Sequence, residues 1–154
     1  MNLLSEQETA IAFTVYGKPA QQGSKSAMVR NGRAIMFEAN AKSKAEWRQS
    51  VVMAGQAAMK DGGHLRLAGP VELRVTFFFR RPQSHYGSGK KAAVLKSSSP
   101  QQHVQTPDLD KLVRNIGDSL TGVVVNDDRQ IYSLIARREW TEDSERAEIL
   151  VREV

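Results

Sequence analysis

Between Thr106 and Ile131 the chain reads TPDLDKLVRNIGDSLTGVVVNDDRQI, and five of these 26 residues are aspartates. Asp108 and Asp110 stand two apart, and Asp127 and Asp128 are adjacent. Carboxylates grouped in this way are how proteins hold hard divalent cations. An oxygen-only ligand set suits Mg2+ or Mn2+ rather than zinc. Such an ion activates water, neutralises a phosphoryl oxygen and stabilises a leaving alkoxide. The chain around this acidic segment is basic, with 22 Lys and Arg against 17 Asp and Glu and a net charge of +5. An excess of this sign points to a polyanionic partner, most simply nucleic acid. A metal-dependent nuclease needs an acidic hole in a basic surface: the metal supplies positive charge at the reacting phosphate, and basic side chains hold the backbone around it.

Each aspartate also has an ordinary structural account. Thr106 suits a helix N-cap, Pro107 the first helical position, and Asp108 the positive end of the helix dipole. Asp110 and Arg114 have the spacing of an i,i+4 pair, worth roughly 0.3–0.5 kcal/mol. Asn126, Asp127 and Asp128 read as a turn. The functional reading explains these features together: the carboxylates at the helix entrance and those in the later turn converge if helix and strand pack antiparallel.

The elements that must position them follow from periodicity. Asp108 to Leu120 reads as a helix with Leu109, Leu112, Val113, Ile116 and Leu120 on one stripe, ended by Gly122. Asp110, Arg114 and Asp118 fall on the other face. Ile11 to Tyr16 and Val71 to Phe79 alternate as strands. Met28 to Phe37, with Asn31-Gly32 at its centre, reads as a hairpin. Asn40 caps a helix running to about Lys60, with Trp47, Val51, Ala54 and Ala58 on one face and Gly62-Gly63 at its end. Arg129 to Arg138 and Arg146 to Val151 read as two final strands. The order is β, hairpin, α, β, α, β, β. It predicts one α/β domain, bordering on α+β, with a single-layer mixed sheet and two main helices.

Residues 80–105 read as a long loop rich in Ser, Gly, Lys and Gln. Arg80, Arg81, His85, Lys90, Lys91 and Lys96 suit it to a phosphate backbone, although a solvated mobile loop accounts for it equally well. The 154 residues hold no cysteine, which excludes disulfides, thiolate metal sites and a Cys nucleophile and fits a reducing compartment. No apolar run is long enough to cross a membrane. Residues 1–10 read as a polar, frayed lead-in rather than a secretory signal, leaving residues 11–154 as one domain. His64, His85 and His103 lack metal-ligand spacing and are expected at the surface. Trp47 and Trp140 are expected in the core or an interface, and Met28, Met36, Met53 and Met59 as core filler.

The acidic segment resembles the core motif of the RusA-type Holliday-junction resolvases, small endodeoxyribonucleases common in phages and prophages. The resemblance rests on Asp108-Leu109-Asp110 opening a helix, Asp118-Ser119-Leu120-Thr121 at its end, and Asp127-Asp128-Arg129-Gln130-Ile131 leading into a strand. FTVYGKPAQQGSKS is similar to the first strand and loop of phage members. The resemblance implies a homodimer in the bacterial cytoplasm that nicks four-way DNA junctions symmetrically with Mg2+ or Mn2+, without a small-molecule cofactor or membrane. It assigns the essential aspartates to Asp108, Asp110 and Asp128, with Asp127 as a neighbouring ligand. The family's essential lysine falls on Arg114, which keeps the charge but does not readily give up a proton. Lys111 is a stand-in a quarter-turn away. Arg80, Arg81, Lys90, Lys91 and Lys111 are the candidate DNA contacts. The alternative is a non-catalytic protein that binds DNA junctions or duplex.

Overall fold

The computed structural model describes residues 8–23, 25–38 and 41–154, without the side chains of residues 25, 26, 37 and 38. Asn40 and the first seven residues, and with them the expected helix cap and most of the polar lead-in, lie outside the described residues. Among the described residues six strands and two α-helices follow in the expected order: β1 (Ala10–Tyr16), β2 (Lys25–Arg30), β3 (Arg33–Glu38), α1 (Ala41–Asp61), β4 (Val71–Arg80), α2 (Leu109–Leu120), β5 (Ile131–Thr141) and β6 (Arg146–Glu153). The main sheet has the order β1-β6-β4-β5. Strands β4 and β5 are parallel, and the other pairs are antiparallel. This is the α+β side of the expected class, a mixed sheet with two helices.

Strand β4 lies between two others, and its alternation decides which side of the sheet becomes the core. Val71, Leu73, Val75, Phe77 and Phe79 are all buried. They meet Ile149 and Val151 of β6, and Leu112, Ile116 and Leu120 of α2, in one hydrophobic cluster. The opposite face carries polar ladders. Glu72 accepts from Arg74 Nε at 2.6 Å and from Arg152 Nη2 at 3.3 Å. The Arg74 hydrogen bond is the main reason its carboxyl stays below the ordinary range.

Helix α1 buries Trp47, Val51, Gly55 and Met59, so its stripe passes through Gly55 and Met59, with Ala54 and Ala58 only partly covered. At Gly55, α1 packs closely against the segment after α2. A methyl group there would meet Val123 Cγ1 at 3.2 Å.

The β2–β3 hairpin turns on Asn31 (φ 51°) and Gly32 (φ 70°), both in the left-handed region that a two-residue primed turn needs. Its described apolar side chains do not enter the core: Met28 is 50% and Met36 62% exposed. Met53 on α1 is exposed as well. Of the four methionines expected as filler, only Met59 is buried, because the hairpin lies apart from the main sheet and Met53 points away from it.

Residues 80–105 form an ordered strap. They contain short 3₁₀ turns at Gln83–His85 and Gly89–Lys91 and a bridge between Tyr86 and Leu95. Ser99 Oγ donates to His85 O at 2.5 Å, and Arg81 Nη1 to Pro100 O at 2.7 Å. The strap also corrects the surface reading of His103, which is 4% exposed. Its ring lies 4.5 Å from those of both Phe79 and Trp140. Burial, with the Arg138 charge adding to it, pushes the imidazole pKa down and favours the neutral form.

Phe77 is fully buried in the central strand. Phe77→Ala is expected to cost about 3–5 kcal/mol. The cost should appear as a lower urea midpoint at unchanged m value.

Candidate active site

Helix α2 begins two residues later than the Thr106 cap would place it. Asp108 is the N-cap, with extended φ and ψ, and Pro107 lies outside the helix. The Asp108 carboxylate makes no capping hydrogen bond. It faces Lys111 Nζ, 3.3 Å from Oδ2. Its backbone is held from outside the helix. Asp108 N donates to Gln21 Oε1 at 2.5 Å, and Arg138 Nη1 donates to Gln105 O and Pro107 O at 2.8 and 2.9 Å. Both contacts satisfy polar groups where a helix end cannot do so itself.

The loop after β1 lies along α2. Gln22 N donates to Lys111 O at 3.2 Å, and the Gln22 side chain donates to the Asp118 carboxylate. Fully buried Asn115 donates to Ala20 O at 3.0 Å. Asp118, on the exposed face in the sequence reading, is thereby a tether for this loop.

The turn before β5 is held by Gln130. Its Oε1 accepts from Asn126 N and Asp127 N at 2.8 and 2.9 Å. Its Nε2 donates to Leu67 O and Gly69 O, both at 2.9 Å. One side chain thus ties the acidic turn to the approach to β4. Residues 128–130 form a 3₁₀ turn, so β5 starts at Ile131 rather than Arg129. The Asp127 carboxylate is fully engaged: Arg129 N and Nε donate to Oδ1 at 2.9 and 3.1 Å, and Arg129 Nη2 to Oδ2 at 3.0 Å. These bonds hold its pKa at about 2, below the ordinary 3.8.

Asp128 lies beside Gly117, where an added methyl would come 3.8 Å from the Asp128 Cβ. Gly117 is seven residues beyond Asp110, two turns along the same helix face and roughly 10 Å along the axis. Arg114 lies between them on this face. Asp110, Arg114 and Asp128 are all exposed, and among the described residues no hydrogen bond or ion pair reaches the Asp110 carboxylate. The Asp110–Arg114 pair allowed by the spacing is not closed. The structure therefore arranges the motif as a stripe along α2 rather than a single knot. Among the described residues no three acidic or histidine side chains are gathered closely enough to hold a metal. The chemistry of the donors still suits a hard cation: they are carboxylates, and the segment from Thr106 to Ile131 holds no Cys, Met or His.

The basic residues of the strap are in different states. Lys90 and Lys91 are exposed on a 3₁₀ turn. Arg80 donates to Asp143 O and Glu142 O, and the Arg81 guanidinium lies 5.1 Å from the Trp140 ring centroid.

Residues 17–152 match the family described as Endodeoxyribonuclease RusA. The chain belongs to the RusA endodeoxyribonuclease family. The match runs from the end of β1 to β6 and so takes in the whole stripe. The chain is also 31% identical over 144 residues to the uncharacterized protein YqaN of Bacillus subtilis (strain 168), covering 94% of this chain and 96% of that protein. Membership supports DNA cleavage as the activity. No helix is long and apolar enough to cross a membrane among the described residues. Within this RusA chain, the sequence reading did not recognise Gln21, Gln22, Asn115, Gln130 and Arg138 as positioning residues. The signals were the Gln at a fixed distance after Asp127-Asp128 and the Gln pair in the β1–β2 loop.

Two outcomes test this arrangement. Gln130→Ala removes four hydrogen bonds, two of them to N–H groups that water can reach. It should cost about 2 kcal/mol in chemical denaturation. The folded pKa of Asp127 lies below its ordinary value, so its stabilising contribution is complete above about pH 4 and is lost as pH falls towards about 2. The difference in Tm between wild type and Asp127→Asn should close over that window.

Proposed function

We propose that this RusA-family chain is a Mg2+- or Mn2+-dependent endonuclease that resolves four-way DNA junctions by paired symmetric nicks. The observation that carries the reading is the exposed stripe Asp110–Arg114–Asp128, uncompensated at Asp110 and set in a basic chain. Asp108, Asp110 and Asp128 are the residues that would hold the metal, and to share one ion the helix entrance and the turn before β5 would have to draw closer than they lie in this structure. Asp127 is the weaker candidate, because Arg129 already occupies both of its oxygens. When bound, the ion supplies Lewis-acid stabilisation of the phosphoryl oxygen and lowers the pKa of water.

The remaining roles belong to the chain's own side chains. Asp110 attracts the cation and orients water towards the phosphodiester. Arg114, between the carboxylates, holds a phosphate oxygen and stabilises the charge that develops there. Arginine does this without a proton to give, so the role is electrostatic. Lys111 screens Asp108 and presents positive charge to the backbone at the helix entrance. Lys90 and Lys91 hold DNA further out, on a strap shaped by Arg80 and Arg81. Two copies related by a two-fold axis match the symmetry of a four-way junction, and a homodimer would thus place two such stripes for paired cuts. The reaction belongs to recombination and repair in the bacterial cytoplasm.

The test is cleavage of labelled four-way junction, forked DNA and linear duplex with Mg2+, Mn2+ or EDTA. Wild type should nick only the junction, in symmetric pairs and only with metal. Asp110→Asn should lower cleavage at least about 100-fold while binding to the junction is kept or tightened, since a repulsive charge is removed. Unchanged cleavage in Asp110→Asn would refute the site. Tight binding by wild type without nicks would favour the non-catalytic reading and make Arg114→Lys the variant to examine for recovered turnover.

A further inference from the structure

Among the described residues no strand of the main sheet pairs with the β2–β3 hairpin, which forms a two-stranded sheet of its own. Ala27 to Met36 are all exposed. An isolated pair of strands is marginal in water. The register adds a repulsion at the tip: Arg30 and Arg33 stand directly opposite each other, on the face shared with Met28 and Ile35. Like charges at opposed positions are destabilising. Among the described residues no hydrogen bond or ion pair engages either guanidinium. Residues 25–37 hold three basic side chains and no acidic one. Behind the tip Met28, Val29, Ile35 and Met36 leave apolar surface open. The loop before the hairpin fixes where it starts. Gln22 is bound to Lys111 O and to the Asp118 carboxylate, both on α2. Lys25 follows three residues later, so β2 begins within about 11 Å of Gln22. The six residues of β2 then carry the tip roughly 20 Å further.

We propose that the hairpin is an arm that grips the duplex flanking the cut, with Arg30 and Arg33 on backbone phosphates and the apolar side chains against the groove. The inference rests on the nuclease reading and deepens it by naming where the DNA is held outside the acidic stripe. A two-stranded ribbon is of a size that the major groove admits. Phosphates supply what the tip lacks: acceptors for two guanidiniums and negative charge that cancels their repulsion. A second copy of the chain fits less well. Another hairpin seated on this one through a two-fold axis would add two more arginines and no acid from residues 25–37, so the charge would stay uncompensated.

The test is binding of a labelled four-way junction in EDTA over a range of salt, which does not depend on cleavage. Wild type is compared with the double variant Arg30→Gln, Arg33→Gln. The control is Lys60→Gln, Arg137→Gln, which removes two exposed cations elsewhere. Each phosphate contact contributes about 0.9 to the slope of log K against log salt. The hairpin variant should lower that slope by about 2 and weaken binding about tenfold or more. It should melt no lower than wild type, because the repelling pair is gone. The control should move the slope less than half as far. Hydroxyl-radical footprints should lose protection along a duplex arm and keep it at the crossover. A wild-type slope in the hairpin variant, or an equal drop in the control, would overturn the arm. Absence of junction binding by wild type would overturn it too. So would a variant that is monomeric where wild type is dimeric, which would assign the hairpin to a contact between subunits. Hairpin-dependent binding by a wild type that nicks no branched DNA would support the arm and overturn the nuclease reading instead.

Discussion

The parallel pairing of β4 with β5 is the constraint on which the rest depends. Two parallel neighbours cannot be joined by a tight turn, so the chain must cross over the sheet. Here the crossover consists of the strap after Arg80, helix α2 and the turn before Ile131. Every aspartate of the acidic segment lies on this crossover. Because α2 runs back along the sheet, Asp108 and Asp110 lie at the end where β4 finishes. Gln130 binds Leu67 and Gly69, and so holds Asp127 and Asp128 at the end where β4 begins.

The crossover helix has only 12 residues and would be marginal in isolation. Leu112, Ile116 and Leu120 anchor one face in the core. Its ends and flank are fixed by amides and one guanidinium: Gln21 and Arg138 at the entrance, Gln22 and the helix's own Asn115 along the side, and Gln130 at the following turn. Neutral amides are well suited to this task. They satisfy backbone donors and acceptors without adding charge next to the carboxylates, whose free negative charge the proposed chemistry would use. The Asp127–Arg129 pair shows the contrary case, in which a carboxylate is neutralised locally and its oxygens are occupied.

The stripe concentrates negative charge on a protein that is positive overall. That combination costs little in the free protein, because Asp110 and Asp128 stay in water, where repulsion is weak. Under the proposed function DNA would bring its phosphates to the same face, and a cation would then be needed between two sets of negative oxygens. Arg114, between the carboxylates, is the chain's own contribution to that balance.

Much of this was legible in the sequence. The α2 stripe and the alternation of β4 declared themselves, because a buried face leaves a periodic record of apolar residues. The acidic motif was legible because carboxylates at those spacings have few other reasons to recur together. The cap at Asp108, the burial of His103 and the exposure of Met28, Met36 and Met53 were not. Nor were the tasks of Gln22, Gln130 and Arg138. Each depends on a partner tens of residues away: Arg138 on Gln105 and Pro107, Gln130 on Leu67, His103 on Phe79 and Trp140. By itself the sequence determined the elements and the core face, since these follow from local periodicity. Only the tertiary structure decided that the aspartates form a stripe rather than a knot and that Asp127 is taken by Arg129. Both outcomes depend on how the crossover is laid on the sheet, and contacts between distant segments set that geometry.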